Sequence, residues 1–383
     1  MTASALTRPG ERERVSSKLG EIDWRFVALL CAVAGVGSLM LYSVGGSSWQ
    51  PWAAKHLIRF SVLLVIMLGL SMVSMRYWFR SAYPVYIVAL LLLVAVELVG
   101  DVRMGAQRWL SIGPFSFQPS EVMKIGVVLA LARWYHGASA QDARFSWKLI
   151  FPVGIIALPF LLVAHQPDLG TAMLIGLTGA AMMFMAGLSW KIMAAVGTFV
   201  CVTVPFYVMF GMHEYQRHRV LTFLNPESDP SGTGYHITQS KIALGSGGLL
   251  GKGFGLGSQS QLEFLPEKQT DFIFAAVSEE FGFVGSFTVL ACYIGIILIA
   301  LRIASLSHSH FGRMASAGVT STFALYVLIN GAMVMGLAPV VGVPMPLLSY
   351  GGTVMLTVMI GFGLVMATRV HRYAELPKGH GLF

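Results

Sequence analysis

Long apolar stretches alternate with short polar ones along most of this chain. Runs of roughly 18 to 25 mainly apolar residues recur ten times. An α-helix rises about 1.5 Å per residue, so each run is long enough to span the roughly 30 Å of hydrocarbon in a bilayer. The pattern predicts an all-α integral membrane protein with about ten transmembrane helices, at about 24–46, 56–75, 81–99, 119–136, 149–165, 169–187, 190–210, 272–301, 314–337 and 350–368.

Composition supports a lipid environment. The 383 residues are 55% hydrophobic and 11% charged, whereas ordinary soluble domains carry roughly 25% charged residues. The net charge is +8, which by itself suggests nucleic-acid binding. No basic run and no alternation of basic and aromatic residues accompanies this charge, so we predict no nucleic-acid partner.

The distribution of Lys and Arg predicts the orientation in the membrane. Ten crossings place both termini on the same side. Outside the long segment 211–271, 16 Lys and Arg residues lie on the side of the termini and five lie on the opposite side. Basic residues in short loops favour the cytoplasmic side. We therefore expect a basic cytoplasmic N-terminal segment (1–23), a ten-helix transmembrane domain (24–368) and a cytoplasmic tail (369–383).

This orientation puts two longer segments on the outer side, 100–118 and 211–271, the second between predicted helices 7 and 8. A connection longer than about 15 residues in a compact protein is usually functional or disordered. The second segment contains apolar residues, prolines and many glycines, so we expect it to fold back over the helices. Its stretch 245–253 resembles a phosphate-binding loop, but Gly253 stands where that loop needs Ser or Thr. The glycines instead favour tight turns or the close passage of an acyl chain or of backbone.

Several ionisable residues lie near the outer ends of the predicted helices. Arg108 stands beside Trp109 just before the fourth helix. Glu121 and Lys124, three residues apart, share one face of that helix about one turn below the surface. Charged residues inside a membrane are generally paired and often functional. Both a structural ion pair and a functional role therefore stay open for Glu121 and Lys124.

A second group of polar residues follows the long outer segment. Asp271 stands where this segment becomes the eighth helix, a position typical of a helix cap and also of a carboxylate that faces an outer cavity. Glu279 and Glu280 lie roughly two turns deeper, and at least one should face a polar partner. Asp168 is predicted to cap the sixth helix. Ser349 precedes the last helix, where a structural role is favoured and hydrogen bonding to a bound headgroup is the alternative.

Seven motifs, taken together and in order, resemble the SEDS family of bacterial cell-wall polymerases (shape, elongation, division and sporulation proteins) over nearly the whole chain. The motifs are Gly105 to Trp109, Gln118 to Lys124, Gln166 to Thr171, Gly232 to His236, Gln239 and Ser240 followed by Ala243 to Gly248, Phe264 to Glu280, and Pro346 to Gly352. Residues 257–267 resemble the elongation branch, the RodA proteins, more than the division branch, the FtsW proteins. The resemblance implies a GT-C-like membrane fold.

The resemblance also implies an activity and a partner. The activity is that of a peptidoglycan glycosyltransferase, which polymerises lipid II on the outer face of the bacterial cytoplasmic (inner) membrane. The partner is a class B penicillin-binding protein, a transpeptidase that activates the polymerase and crosslinks the new strand. By position in the motifs, Asp271 matches the family's essential acidic residue, and Trp109, Glu121 and Lys124 match other positions important to its function.

The chemistry of this reaction suggests roles for the outer polar residues. A β-1,4 bond made from an α-linked sugar pyrophosphate requires inversion, so one displacement with one base suffices, and we expect Asp271 to be that base. Cations must neutralise the pyrophosphate as it leaves. The candidates are Arg108, Lys124, Arg217, Arg219 and Lys241. A divalent cation, Mg²⁺ or Mn²⁺, is a further candidate, although no ligand set is evident in the sequence.

Two other functions are compatible with the same features. A flippase for the same lipid-linked sugar needs a polar path to the cytoplasmic side. The polar groups here concentrate in the outer half, with Glu279, Glu280 and Asn330 as deeper exceptions. A non-catalytic scaffold that holds the transpeptidase leaves Asp271 and the outer cations unexplained.

Overall fold

The computed structural model describes residues 15–103, 106–112, 115–144, 146–211, 214–225, 229, 232–265 and 267–377. Residues 1–14 and 378–383 of the predicted cytoplasmic segments lie outside these ranges. The helices are α1 (Val15–Gly20), α2 (Trp24–Val44), α3 (Ala53–Ser71), α4 (Met75–Val99), α5 (Pro119–Gly137), α6 (Ala140–Arg144), α7 (Ile150–His165), α8 (Leu169–Met185), α9 (Trp190–Phe210), α10 (Glu214–Leu224), α11 (Thr233–Ser246), α12 (Ser258–Gln261), α13 (Ile273–Leu306), α14 (His310–Val334) and α15 (Gly352–Val370). A 3₁₀ turn (Trp147–Leu149) precedes α7, and the strands are β1 (Asp101–Arg103), β2 (Ala106–Ile112) and β3 (Phe115–Phe117).

All ten predicted membrane helices are present, as α2 to α5, α7 to α9 and α13 to α15. Eight of them are long and apolar enough to cross a membrane. Of the other two, α8 is apolar but has 17 residues, and α5 carries Glu121, Lys124 and Arg133 within its 19 residues. The chain is therefore a multi-pass membrane protein, and the predicted all-α class with about ten membrane helices is confirmed.

Some helices begin earlier than predicted, because hydrogen bonding rather than hydropathy decides where a helix begins. The ninth membrane helix is predicted to begin at 314, but α14 begins at His310. The hydroxyl of Ser309 caps this helix by accepting a hydrogen bond from the N–H of Gly312 at 3.4 Å. Similarly, α4 begins at Met75 rather than at 81. Helices in this protein continue into the polar surface layer, where a hydropathy pattern cannot mark their ends.

The centre of the bundle consists of α5, α14 and α15, most of whose residues are buried. Small residues allow these helices to approach closely. Gly318 on α14 contacts the side chains of Met182 and Val128, and Gly361 on α15 contacts Val319. The peripheral helix is α9, which has no buried residue among those described. Because α9 is apolar on all sides, lipid is its expected environment.

The two described ends of the chain meet at one end of the bundle. Arg369, near the end of α15, donates a hydrogen bond from Nε to the carbonyl oxygen of Glu21 at 2.9 Å. Its Nη2 lies 3.7 Å from the carboxylate of Asp23. A chain that crosses the membrane an even number of times must have both of its ends on the same side, as here.

A small antiparallel sheet occupies most of the outer segment 100–118, with strand order β1-β2-β3. In β2 and β3, Leu110 pairs with Phe117 and Ile112 with Phe115. The sequence pattern predicts no strand in this segment, and the sheet is a small addition to the confirmed all-α fold. Strands of three to seven residues are too short for their periodicity to be distinguished from that of a loop. The sheet leads directly into α5 and carries Arg108.

Helix α13 is broken at Gly282, whose φ of 63° and ψ of −159° are not helical. The long outer segment folds against this break. The N–H groups of Lys252 and Gly253 donate hydrogen bonds to the carbonyl oxygens of Glu279 and Glu280, both at 3.0 Å. Beyond the break, the N–H groups of Phe283 and Val284 donate to the carbonyl oxygens of Gly248 and Leu249. Backbone groups freed by a broken membrane helix need such partners, and the segment supplies them.

The glycines of this segment allow its backbone to pass directly against α13. A Cβ atom at Gly247 would lie 1.9 Å from the carbonyl oxygen of Ser278. A Cβ atom at Gly251 would lie 2.1 Å from the carbonyl oxygen of Glu280. Of the two predicted explanations for these glycines, close passage of backbone is therefore confirmed. The prediction that the long segment folds back over the helices is confirmed as well.

Candidate active site

Strand β2 holds the Arg108 side chain over the turn between α7 and α8. Its Nε donates a hydrogen bond to the carbonyl oxygen of Gln166 at 3.2 Å. Its Nη2 donates to the carbonyl oxygen of Pro167, and its Nη1 lies 3.8 Å from Oδ1 of Asp168. The side chain of Arg108 stays 25% exposed. The guanidinium is thus fixed in position and keeps an accessible face.

Asp168 has the predicted capping role. Its Oδ1 accepts a hydrogen bond from the N–H of Thr171 in the first turn of α8, at 3.2 Å. Its Oδ2 accepts a hydrogen bond from Nε2 of Gln118 at 2.9 Å, just before α5 begins. The carboxylate therefore joins the N-terminal ends of α5 and α8 and lies beside the charge of Arg108. The prediction that Asp168 caps the sixth membrane helix is confirmed.

Asp271 lies in a turn immediately before α13, one residue ahead of the helix cap Phe272. Its side chain is half-buried. The Nδ2 group of Asn330, on α14, donates hydrogen bonds to the carbonyl oxygens of Asp271 at 2.9 Å and of Val343 at 2.8 Å. A Cβ atom at Gly342 would lie 3.8 Å from Oδ2 of Asp271. The carboxylate therefore faces a backbone position that has no side chain.

One short segment, 340–343, lies between Asp271 and the beginning of α8. A Cβ atom at Gly170, in the first turn of α8, would lie 2.5 Å from the carbonyl oxygen of Val341. The next residue, Gly342, adjoins the carboxylate of Asp271. The pair of Arg108 and Asp168 and the carboxylate of Asp271 thus flank the same segment at one end of the bundle. The role of Asp271 as base and that of Arg108 in binding pyrophosphate stay predictions.

Glu121 and Lys124 form a buried ion pair, with Nζ and Oε1 2.7 Å apart. The hydroxyl of Tyr326, on α14, donates to the carboxylate at 3.1 Å and accepts a hydrogen bond from the ammonium. A small cavity lies against Lys124 and Tyr326, lined mainly by apolar side chains of α5, α14 and α15. The pair braces α5 against α14, and its contact with substrate stays a prediction.

Glu279 and Glu280 are both buried and both have polar partners. Oε1 of Glu279 lies 2.6 Å from Nζ of Lys252. Oε1 of Glu280 accepts a hydrogen bond from the hydroxyl of Ser43 at 2.5 Å, and its Oε2 accepts one from the N–H of Gly255 at 3.0 Å. The prediction that at least one of the two faces a polar partner is confirmed. Glu279 thus connects the long outer segment to α13, and Glu280 connects both α2 and the long outer segment to α13.

Helix α11 lies over the beginning of α13 and the end of α14. The ring of His236 stacks on that of Phe272 with centroids 6.1 Å apart. The exposed Lys241 packs across Gly336, where a Cβ atom would lie 2.1 Å from its Cε. Lys241 therefore borders the same end of the bundle as Asp271.

The other predicted site residues have more varied surroundings. Trp109 is half-buried on β2, and Arg217 is exposed on α10. Arg219 belongs to the same helix, and its side chain is outside the described part of the structure. Ser349 is buried, and its hydroxyl accepts a hydrogen bond from the N–H of Met345 at 2.9 Å. This contact is the favoured structural role, while contact of Ser349 with a headgroup stays a prediction.

Sequence reasoning missed two residues of this region, Tyr326 and Lys252. Tyr326 stands within an apolar run, and Lys252 belongs to the glycine-rich stretch considered only as a phosphate loop. The sequence contained only an indirect signal for these two residues. A buried carboxylate requires a partner, so Glu121 and Glu279 each implied a donor elsewhere in the chain.

These features define a multi-pass membrane protein with an acid and cations gathered at one end of its helical bundle. Residues 23–374 match the model of the FtsW/RodA/SpoVE family, described as cell cycle protein. The chain belongs to this family, and the predicted resemblance to the SEDS proteins is confirmed.

Three known proteins illustrate the relationship. The peptidoglycan glycosyltransferase MrdB of Escherichia coli K12 is 44% identical over 355 residues, which cover 92% of this chain and 94% of that protein. A solved structure described as structural coordination of polymerization and crosslinking by a peptidoglycan synthase complex matches with a TM-score of 0.80 and 29% identity. It covers 92% of this chain and 99% of that one. The rod shape determining protein RodA of Thermus thermophilus matches with a TM-score of 0.70 and 27% identity over 92% of this chain and 98% of that one.

Proposed function

We propose that this protein is a peptidoglycan glycosyltransferase that polymerises lipid II into β-1,4 glycan strands. The observation that carries the proposal is the position of Asp271, whose carboxylate faces Gly342 across from the pair of Arg108 and Asp168. The family of the chain supports the same activity. The substrates of this protein are lipid II and the growing strand, which reach the site from the outer leaflet of the membrane, among its lipids.

Asp271 acts as the base in this proposal. The C4 hydroxyl of the acceptor sugar attacks the anomeric carbon of the donor and passes its proton to the Asp271 carboxylate. The bond from the anomeric carbon to the pyrophosphate oxygen breaks in the same displacement, which inverts the configuration. Because Gly342 has no side chain, the hydroxyl can approach Oδ2 from that side. A base of this kind must come within about 2.6–3.2 Å of the proton donor.

The departing pyrophosphate carries the charge that must be compensated. Arg108 has the best placement, since backbone carbonyls fix its guanidinium while a quarter of its side chain stays exposed. Lys241 and Arg217 are exposed and supply further positive charge. Lys124 is committed to Glu121 and Tyr326, so in this proposal it acts on the helix packing beneath the site.

A divalent cation is a further possibility within the same proposal. Among the described residues, no group of three or more His, Cys, Asp or Glu side chains is arranged to hold a metal ion. Mg²⁺ commonly binds through one or two carboxylates together with the phosphates of a substrate. Asp168 and Asp271 are the carboxylates of the proposed site that would take part in such shared binding of Mg²⁺ or Mn²⁺.

The proposed setting is the bacterial cytoplasmic (inner) membrane, with both termini in the cytoplasm and the site on the outer face. The excess of Lys and Arg at the end of the bundle that holds the termini supports this orientation. The proposed partner is a class B penicillin-binding protein that crosslinks the strand. The solved complex matched by this chain is described as coordinating polymerization with crosslinking.

The elongation branch of the family fits this chain better than the division branch. Residues 257–267 follow the elongation pattern, and the segment that contains them contacts α13 through Glu279 and Glu280. A division protein with the same chemistry is the alternative. Complementation distinguishes the two: this gene should restore rod shape to cells depleted of their elongation polymerase and should not restore division to cells depleted of the division polymerase.

A flippase function has less support than polymerisation. Such a function requires polar groups that continue toward the cytoplasmic side. The deep carboxylates Glu279 and Glu280 are instead committed to Lys252 and Ser43. The cavity beside Lys124 is lined mainly by apolar side chains, with Thr322, Tyr326 and Thr357 as its uncharged polar members.

Strand polymerisation from purified lipid II tests the proposal. The protein with its cognate transpeptidase should make long polymer, and Asp271→Asn should make almost none. Glu263→Gln is the matched control, because Glu263 is an 85% exposed carboxylate of the same segment. All variants must bind the transpeptidase equally. Equal polymer from the wild type and Asp271→Asn would exclude Asp271 as the base, and protein-dependent lipid II transport without polymer would favour the flippase.

A further inference from the structure

Asn330 connects two separate segments at the site through a single amide group. It is fully buried on α14. Its Nδ2 donates to the carbonyl oxygen of Asp271, before α13, and to that of Val343, after α14. Both acceptors are carbonyl oxygens, so the hydrogen-bond network assigns the amide nitrogen to this side of the group.

The other half of the amide contributes no contact. Oδ1 of Asn330 is buried and has no hydrogen-bond partner among the described residues. A buried acceptor without a partner is unfavourable. The contribution of Asn330 at this position is therefore the pair of hydrogen bonds that its nitrogen donates.

These two hydrogen bonds fix the surroundings of the Asp271 carboxylate from both sides. One acceptor belongs to Asp271 itself, and the other belongs to Val343, the neighbour of the Gly342 that faces Oδ2. Asp271 precedes the first residue of α13, so helical hydrogen bonds do not hold its own carbonyl group in place. The turn has further restraints on either side of Asp271: the N–H groups of Thr270 and Phe272 donate to the carbonyl oxygen of Glu267 at 3.0 and 3.4 Å, and the N–H of Tyr350 donates to that of Gln269 at 2.8 Å.

We propose that Asn330 is a positioning residue that sets the distance between the Asp271 carboxylate and the backbone at Gly342. This inference rests on the proposed function, in which the acceptor hydroxyl enters the space beside Gly342. Loss of the two hydrogen bonds lets the turn and the segment 340–343 separate. A displacement of about 1 Å between reacting groups can lower a rate by about 100-fold.

Asn330→Leu tests this inference because Leu has a similar size and donates no hydrogen bond. The expected result is a kcat about 10- to 100-fold lower, with a KM for lipid II within about threefold of the wild-type value, since binding groups are unchanged. Ser240→Ala is the matched control. It removes the hydrogen bond from the Ser240 hydroxyl to the carbonyl oxygen of Val334, at the same end of α14, and should leave kcat within about twofold of wild type.

A double-mutant cycle separates positioning from a general structural defect. If Asn330 acts through the carboxylate, Asn330→Leu lowers kcat in the wild-type background and has no further effect on the residual activity of Asp271→Asn. The same fold loss in both backgrounds, or no loss in the wild type, would overturn the inference. Asn330→Asp provides a second variant if Asn330→Leu does not fold, because Asp donates at most one hydrogen bond.

Failure of the inference and failure of the proposed function give different results. A protein that depends on Asp271 but shows additive or no effects at Asn330 retains the proposed function and loses the inference. If Asp271→Asn leaves polymerisation unchanged, Asp271 is not the base. The proposed mechanism and the inference about Asn330 are then both wrong.

Discussion

Lys252 and Glu279 form an ion pair of 2.6 Å in which the carboxylate side chain is completely buried and the lysine side chain is 29% exposed. The two residues belong to different elements, the long outer segment and the broken helix α13. The carboxylate also accepts a hydrogen bond from the N–H of Gln259 at 3.0 Å. Removing the lysine alone leaves a buried charge without its counter-ion, which is much less favourable than losing an exposed pair.

Lys252→Met should therefore lower the free energy of unfolding by about 3–5 kcal/mol. Glu263→Gln, which removes an 85% exposed carboxylate that lies 4.0 Å from the ammonium of Lys268, should change the free energy of unfolding by less than about 1 kcal/mol. The double variant Lys252→Met with Glu279→Gln should recover part of the loss, because no buried charge is then uncompensated. Unfolding measured in one detergent for all variants checks this order, and equal losses for Lys252→Met and Glu263→Gln would contradict it.

Gly282→Ala should destabilise the protein by about 2–4 kcal/mol. The φ of Gly282 is 63°, and a Cβ atom there would lie 2.3 Å from the backbone nitrogen of Gly251. Gly35→Ala is the control, since Gly35 lies within α2 and a Cβ atom there meets nothing within 4 Å. That control should be neutral or slightly stabilising. Thermal unfolding of both variants checks the prediction, which fails if the two have the same midpoint.

Tyr326→Phe should lower the free energy of unfolding by about 1–3 kcal/mol, because the buried carboxylate of Glu121 then loses a hydrogen-bond donor. Tyr135→Phe provides a comparison at a second buried tyrosine. The Tyr135 hydroxyl has no hydrogen-bond partner among the described residues, so its removal should be neutral or stabilising. Comparison of the two unfolding free energies decides the matter, and a Tyr135→Phe loss as large as that of Tyr326→Phe would disprove the explanation.

Arg108→Lys should reduce polymerisation by about tenfold or more even though it keeps the charge. A lysine ammonium cannot reproduce the flat guanidinium that bonds two carbonyl groups and faces Asp168. Arg217→Lys should keep most of the activity, since the exposed Arg217 contributes only charge in the proposed mechanism. Initial rates with lipid II check both variants. An Arg108→Lys enzyme with wild-type rates would show that position 108 supplies charge alone.

The sequence predicted those features that depend on local patterns. Apolar runs located all ten membrane helices, and the position of Asp168 ahead of an apolar run identified it as a helix cap. The pairs at the site are different, because their members are far apart in the chain. Lys124 and Tyr326 are 202 residues apart, and Asn330 and Asp271 are 59 apart. Periodicity and capping rules contain no information about such pairs, which are decided when helices pack.

The break in α13 was also beyond local prediction, since the sequence predicts one continuous apolar helix at about 272–301. Gly282 by itself is compatible with a membrane helix, where glycine is common. Only the neighbouring backbone of residues 247–253 makes the break favourable by supplying partners for the carbonyl groups of Glu279 and Glu280. The sequence showed the glycines of that stretch but not the element against which they pack.

The hydrogen bonds between residues 248–253 and α13 have a further consequence for local unfolding. Neither element can open alone without leaving buried backbone groups of the other unpaired, so the two behave as one cooperative unit. Amide protons of Lys252, Gly253, Phe283 and Val284 should therefore exchange with solvent at a common rate, although half of them belong to a loop. Asp271 lies directly before this unit, which gives the turn that carries the carboxylate a stable neighbour.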